Sequence, residues 1–151
     1  MTVEMPGDAA LDGRWDADRL AQVLRNLLSN AAKYSPPNTP ITVAIQCAAE
    51  TVLVSVRDEG MGIPSMDLPR LFGRYVRAHN AQDTEGLGLG LYLCRGIVEA
   101  HGGRIWATSA GAEQGTTISF ELPWKEREQS SAKDPPQSPT ATCDVPRSAS
   151  R

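Results

Sequence analysis

Three short clusters in this 151-residue sequence combine residue types that can do chemistry. The first is Asn26, Asn30 and Lys33, spaced i, i+4 and i+7. At about 100° per residue, the three fall within roughly 60° of one another on a helix. Two amides and an ammonium in one stripe offer oxygen ligands to a hard cation and a positive group to a phosphate. A solvated helix face can carry the same residues, but two asparagines inside a helix run against propensity and favour a functional reading.

The second cluster is Asp58-Glu-Gly60-Met-Gly62-Ile63-Pro64, directly after an alternating stretch. Asp58 shares the parity of Val52, Val54 and Val56, so its side chain is expected on the buried face. A buried carboxylate is expensive unless hydrogen-bonded, and a ligand amine or hydroxyl is one natural partner. A plain Asp/Gly turn gives no reason for that parity. The third cluster is Gly86-Leu87-Gly88-Leu89-Gly90-Leu91, opening a helical stretch. Glycines there let backbone N–H groups approach an anion, and a helix N-terminus adds a favourable dipole. The run is not the dinucleotide fingerprint, because GxGxG replaces GxGxxG and a loop precedes it.

These clusters need elements to hold them. Asp16 is a plausible N-cap for a helix to about Tyr34, with Leu20, Val23, Leu24, Leu27, Leu28 and Ala31 on one face. Ser35-Pro36-Pro37-Asn38 ends it. Ile41, Val43, Ile45 and Cys47 alternate, as do Val52, Val54 and Val56, which predicts a hairpin. A short helical or loop piece follows around Leu68–Tyr75. Residues 77–86 are polar and nearly free of core residues, as expected of a mobile loop. A second helix is expected from Leu89 to about Ala100, stopped by Gly102-Gly103. Arg104–Ser109 and Thr116–Leu122 make a final hairpin. Helices alternating with hairpins predict a two-layer α/β sandwich, a mixed and mostly antiparallel sheet with helices on one face.

Fifteen basic residues against eighteen acidic ones give a net charge of −3, which argues against nucleic-acid binding through a basic face. No apolar run approaches the roughly 18–20 residues of a membrane span, and nothing after Met1 reads as a signal peptide. The three cysteines, Cys47, Cys94 and Cys143, are far apart, so neither a zinc site nor a disulfide scaffold is expected and a reducing cytoplasmic setting fits best. Residues 125–151 hold four prolines and five serines, with Val145 the only large aliphatic. Such a segment cannot bury enough apolar surface to offset its chain entropy. The expected organisation is a flexible start over 1–7, a folded unit over 8–124 and a disordered tail or linker over 125–151.

Taken together and in this order, the clusters resemble the GHKL (Bergerat) ATP-binding fold, specifically the catalytic domain of sensor histidine kinases. Leu24-Arg-Asn26-Leu-Leu-Ser-Asn30-Ala-Ala-Lys33-Tyr34 is similar to the family's N box and Asp58-Glu-Gly60-Met-Gly62 to its G1 box. Phe72-Gly-Arg74-Tyr75-Val-Arg77 is similar to the F box, Gly86–Leu91 to G2, and Gly115-Thr116-Thr117 to a G3-like turn. The resemblance implies ATP and Mg²⁺ as cofactors. It gives Asn30 the metal contact, Lys33 a phosphate, Tyr34 the adenine pocket, and Asp58 the adenine amine. Gly60, Gly62 and Ile63 would lie along the base, and Gly86, Leu87, Gly88, Leu89, Gly90, Leu91 and Thr117 would complete the nucleotide contacts. Asn26 stands where related ATPases place a water-activating glutamate, and an amide cannot be that base. Residues 73–86 would be the ATP lid, with Arg74 or Arg77 reaching the γ-phosphate.

The resemblance also implies partners: a histidine-bearing dimerisation domain of the same parent protein and, indirectly, a response regulator, without nucleic acid or membrane contact by this chain itself. The dimerisation domain has no room here, so the chain is expected to be the C-terminal portion of a kinase. His79 and His101 lack the family's phosphoacceptor context and a neighbouring acidic residue placed to orient an imidazole. Phe72, Tyr75, Trp15, Trp106 and Trp124 read as packing residues, and Cys94 as simply buried. Two alternatives stand beside the kinase reading. One is a serine kinase of anti-sigma-factor type, against which the F box counts. The other is a nucleotide-binding pseudokinase module.

Overall fold

In the computed structural model the described residues are 2–4, 15–81 and 87–124. Helix α1 spans Ala17–Tyr34, and Asp16 caps it by accepting from the Arg19 N–H at 3.0 Å. Val23, Leu27 and Ala31 form its buried line. Ser35 is extended (φ −102°, ψ 149°), as expected of a residue preceding proline, and the helix ends there.

Five strands form one sheet. They are β1 (Thr2–Glu4), β2 (Thr42–Cys47), β3 (Thr51–Asp58), β4 (Arg104–Thr108) and β5 (Thr116–Pro123), in the spatial order β1-β2-β3-β5-β4. Only the β1–β2 pairing is parallel. The register sets Val52 against Leu122, Val54 against Phe120, Val56 against Ile118 and Asp58 against Thr116. Period-two alternation then sends all eight to one face, where α1 and helix α2 (Gly90–Ala100) pack. Phe120, Leu27, Leu122, Val23, Val56 and Val98 are fully buried there. Burying each such side chain stabilises the fold by about 1.5–3 kcal/mol. α2 ends in a Schellman motif: Gly102 N–H donates to Glu99 O and Gly103 N–H to Val98 O, both at 3.0 Å, with Gly102 at φ +75°.

The two-layer architecture is the one expected, with three local differences. Thr2–Glu4, within the stretch expected to be flexible, pair as an edge strand with Thr42–Ala44. Three residues are too few for alternation to announce a strand. The piece around Leu68–Tyr75 is a 3-10 turn over Leu68–Arg70 continued by turns, within the expected short helical or loop segment. Tyr75, expected to pack, is 60% exposed. Its backbone sits at φ +60° with its N–H on Gly88 O at 3.1 Å, which turns the ring outward. Lastly, the described part of the loop expected over 77–86 is not free of core. Ala78 and Ala81 are buried and His79–Ala81 form a 3-10 turn. Alanines fill space without raising local hydropathy, so composition conceals their packing. The tail expected over 125–151 lies outside the described residues, as does Gly86.

Candidate functional site

A cavity of about 300 Å³ opens between the last turns of α1, the ends of β3 and β5, the glycine loop after β3 and the start of α2. Its floor is Asp58, 8% exposed. Oδ1 accepts from the Gly60 N–H at 2.8 Å and the Thr116 N–H at 3.2 Å, and Oδ2 takes no hydrogen bond from the described residues. Burial pushes the Asp58 carboxyl above its ordinary 3.8, while the two backbone donors pull the other way. The carboxyl is thus held at the floor with one oxygen left without a partner among the described residues, which suits a ligand hydrogen-bond donor.

The glycine loop is stitched to α1. Met61 N–H donates to Tyr34 O at 3.0 Å, and a Cβ on Gly60 would stand 2.4 Å from that same carbonyl. Gly62 is at φ +65°, and a Cβ there would stand 1.9 Å from Gly111 O. Both positions therefore require glycine. Across the cavity, Gly88, Leu89 and Gly90 line the wall where α2 begins, so the unpaired N–H groups of its first turn lie at the cavity's edge.

From α1, Asn30, Lys33 and Tyr34 line the cavity. The Asn30 amide makes no hydrogen bond to the described residues. Lys33 Nζ lies 5.2 Å from the Tyr34 ring centroid and pairs with no carboxylate among them. This donor set fits a cation and phosphates: a free amide oxygen for a hard metal and an unpaired ammonium one turn away. Ile63, Arg77, Leu87 and Leu91 complete the expected residues found at the cavity, where Arg77 also donates to Ala81 O.

Four expected residues stand elsewhere. Gly60 backs the wall without lining it. Asn26 is half-buried one turn before Asn30, its Nδ2 donating to Cys94 Sγ at 3.6 Å. Arg74 lies outside the cavity against Tyr75, 3.2 Å from the hydroxyl and 4.9 Å from the ring centroid. Thr117 faces the opposite side of the sheet, in a separate polar cavity of about 340 Å³ with Arg57, Thr108 and Gln114. Its neighbour Thr116 lines the nucleotide-sized cavity, and the shared parity with Ile118, Phe120 and Leu122 was the available signal. Met61 and Asn80 also line it. Asn80 Nδ2 donates to Met61 O at 3.3 Å and Gly62 O at 3.0 Å, contacts with no local sequence signature. Cys94 is wholly buried, as expected, and burial pushes its thiol up.

A helix pair over a largely antiparallel sheet, with a buried carboxylate under a glycine loop, defines an ATP-binding class of domain. Residues 15–126 match the family of histidine kinase-, DNA gyrase B-, and HSP90-like ATPases, and the chain belongs to that family. It is 45% identical over 118 residues to the sensor histidine kinase WalK of Bacillus subtilis, covering 76% of this chain and 19% of WalK. Over 109 residues it is 46% identical to the adaptive-response sensory kinase SasA of Synechococcus elongatus, covering 72% of this chain and 28% of SasA. The chain thus spans less than a third of the length of these curated relatives. Among solved structures, the mycobacterial sensor histidine kinase MprB superposes with a TM-score of 0.74 at 29% identity, covering 83% of each chain. The catalytic domain of the histidine kinase ThkA gives 0.70 at 31% identity, covering 82% of this chain and 79% of that one. Full-length ShkA in complex with AMPPNP gives 0.67 at 25% identity, covering 82% of this chain and 26% of ShkA. The expected membership and fold are borne out. These relatives are sensor kinases, so neither the serine kinase nor the pseudokinase alternative is favoured.

Proposed function

We propose that this chain is the ATP-binding catalytic unit of a sensor histidine kinase, binding Mg·ATP and passing the γ-phosphoryl group to a histidine on a helical dimerisation domain of the same parent protein. The observation that carries the reading is Asp58, a buried carboxyl at the floor of a cavity of about 300 Å³ with one oxygen held by backbone donors and the other without a partner among the described residues. That oxygen accepts the adenine amine, with Thr116 and the Gly60–Ile63 loop along the base. The nucleotide-bound relative ShkA supports the choice of ligand.

Mg²⁺, when bound, neutralises phosphate charge, and the Asn30 amide oxygen is the protein ligand placed to hold it. Lys33 and the first turn of α2 orient the phosphates. Of the two lid arginines, Arg77 lines the cavity and Arg74 does not, so the γ-phosphate contact falls to Arg77. Phosphoryl transfer depends mostly on positioning and charge stabilisation, which is what these side chains supply. As the new P–N bond to imidazole forms, the bond from the γ-phosphorus to the bridging oxygen breaks and ADP departs. Asn26 supplies no base for activating water, in keeping with transfer to protein over hydrolysis.

The described residues include no helix long and apolar enough to cross a membrane. We place the chain in the cytoplasm, with a response regulator as the eventual phosphate acceptor. The test is titration with a fluorescent ATP analogue with and without Mg²⁺, followed by γ-labelled ATP with a supplied dimerisation domain. Saturable binding and an acid-labile label on that domain are expected. Lack of saturation at millimolar nucleotide overturns the reading.

A further inference from the structure

Asp67 is a wholly buried carboxylate that does not line the cavity, its side chain having 0% exposure. Burying a carboxylate is tolerable only when its lone pairs are met by donors, and here they are. Oδ1 accepts from Arg70 Nη2 at 2.7 Å and Nε at 3.1 Å, and lies 2.8 Å from His79 Nδ1. Oδ2 accepts from the His79 backbone N–H at 2.8 Å. The His79 N–H foremost, with Arg70 and the His79 ring, holds the Asp67 carboxyl down to about 2 despite burial, so it stays charged in any physiological buffer.

What this grip controls is the cavity wall. His79 sits between Ala78 and Asn80, both of which line the cavity, as does Ala81. Asn80 reaches the carbonyls of Met61 and Gly62 from the inner side. The 78–81 turn is therefore held between two anchors, Asp67 behind it and the glycine loop in front. A turn gripped from only one side is free to swing, and a wall that moves lowers affinity through the ordering it must undergo on binding.

We propose that Asp67 is a positioning residue for nucleotide binding: acting through His79, it holds the Ala78–Ala81 wall against the glycine loop and so sets affinity for the nucleoside triphosphate. This inference rests on reading the cavity as the ATP site. Asp67→Asn keeps the volume but loses the charge and turns an NH₂ toward donors. His79→Ala keeps the backbone bond to Oδ2 and loses the ring contact.

The experiment titrates the whole chain and both variants with a fluorescent ATP analogue, and follows amide exchange at 78–81 without nucleotide. Asp67→Asn is expected to weaken binding about tenfold and His79→Ala about two- to threefold, in line with losing a charged and a partial hydrogen-bond set. In Asp67→Asn the 78–81 amides should speed up by a larger factor than those of β3 and β5, which separates a loosened wall from a loosened fold. With a dimerisation domain supplied, KM for ATP should rise and kcat should hold. Wild-type affinity and unchanged exchange at 78–81 in Asp67→Asn overturn the inference. A wild-type chain that binds no analogue overturns the nucleotide reading itself, and this inference with it.

Discussion

Asp58 and Thr116 stand opposite one another across β3 and β5, and the Thr116 backbone N–H donates to Asp58 Oδ1 at 3.2 Å. The pairing leaves the other oxygen of a buried carboxylate for a ligand. It makes the end of this strand pair a reader of one hydrogen-bond donor.

Adenine is therefore expected to be preferred over guanine. Guanine presents a carbonyl oxygen where adenine presents its amine, and a carboxylate facing that oxygen goes unpaired. Such a mismatch costs about 1–3 kcal/mol, roughly tenfold to a hundredfold in affinity. Competition of ATP and GTP against a fluorescent analogue measures it. Asp58→Asn should blunt the preference, because an amide can rotate to donate. Equal affinities in the wild type would remove Asp58 from the base site.

The same substitution should leave the nucleotide-free fold no less stable near neutral pH. Burial raises the Asp58 carboxyl above 3.8 in the folded chain, so the native state binds that proton more tightly than the unfolded one. Its contribution to stability is fully present below pH 3.8 and is lost as pH rises through the folded-state value. Asp58→Asn abolishes this loss, since the amide does not ionise. Urea melts of the free chain at pH 7 are expected to show a midpoint equal to or above wild type. A marked fall would mean that the charge is needed for folding.

Asn30→Ala should weaken Mg·ATP about tenfold or more and metal-free ATP much less, because the lost oxygen acts through the cation. Titrations in EDTA and in millimolar Mg²⁺ distinguish the two. Equal losses in both would make Asn30 a structural residue.

Acid should expose the Asp67 anchor. Its carboxyl lies at about 2 in the fold against an ordinary 3.8, so the unfolded chain takes up that proton first. The stabilisation is present above about pH 4 and disappears as pH falls through about 2. Asp67→Asn should flatten the fall in stability over this window and lower the midpoint at neutral pH. Parallel acid profiles for the two chains would contradict the hydrogen-bond account of Asp67.

Legibility in the sequence followed the range of the interactions. The Asp16 cap, the Val23–Leu27–Ala31 line and the inward parity of Asp58 depend on neighbours within one turn or one strand, and periodicity reports them. The same parity argument reaches Thr116, while the glycine-turn motif pointed one residue too far, to Thr117. Asp67 left no trace because its partner His79 is twelve residues away in a polar stretch, where a carboxylate reads as solvated. Ala78, Ala81 and Asn80 were hidden for the same reason: their value lies in a turn built by contacts distant in sequence. Arg74 and Arg77 are separated by backbone geometry at Tyr75, which no spacing rule encodes.

The chain alone is expected to carry no phosphohistidine. His101 has both ring nitrogens engaged, Nδ1 at 2.7 Å from Ile97 O and Nε2 accepting from the Asp16 N–H at 3.0 Å. His79 is the sharper case, because the structure supplies the acidic neighbour that its sequence surroundings lack. Asp67 Oδ1 lies 2.8 Å from its Nδ1, an arrangement that can orient an imidazole. Arg70 Nη2, however, stands 3.0 Å from Nδ1 and 3.4 Å from Nε2, and a guanidinium there opposes the positive charge an attacking imidazole must develop. Asp67 is moreover already engaged by three donor groups. Incubation with γ-labelled ATP should leave the chain unlabelled, while a supplied dimerisation domain acquires label that acid removes. Without a tether the reaction lacks the roughly millimolar effective concentration that linkage provides, so high acceptor concentration and long incubation are needed. Acid-labile label on the chain that vanishes in His79→Gln would show that Asp67 activates His79 in spite of Arg70. Acid-stable label would point instead to hydroxyl chemistry.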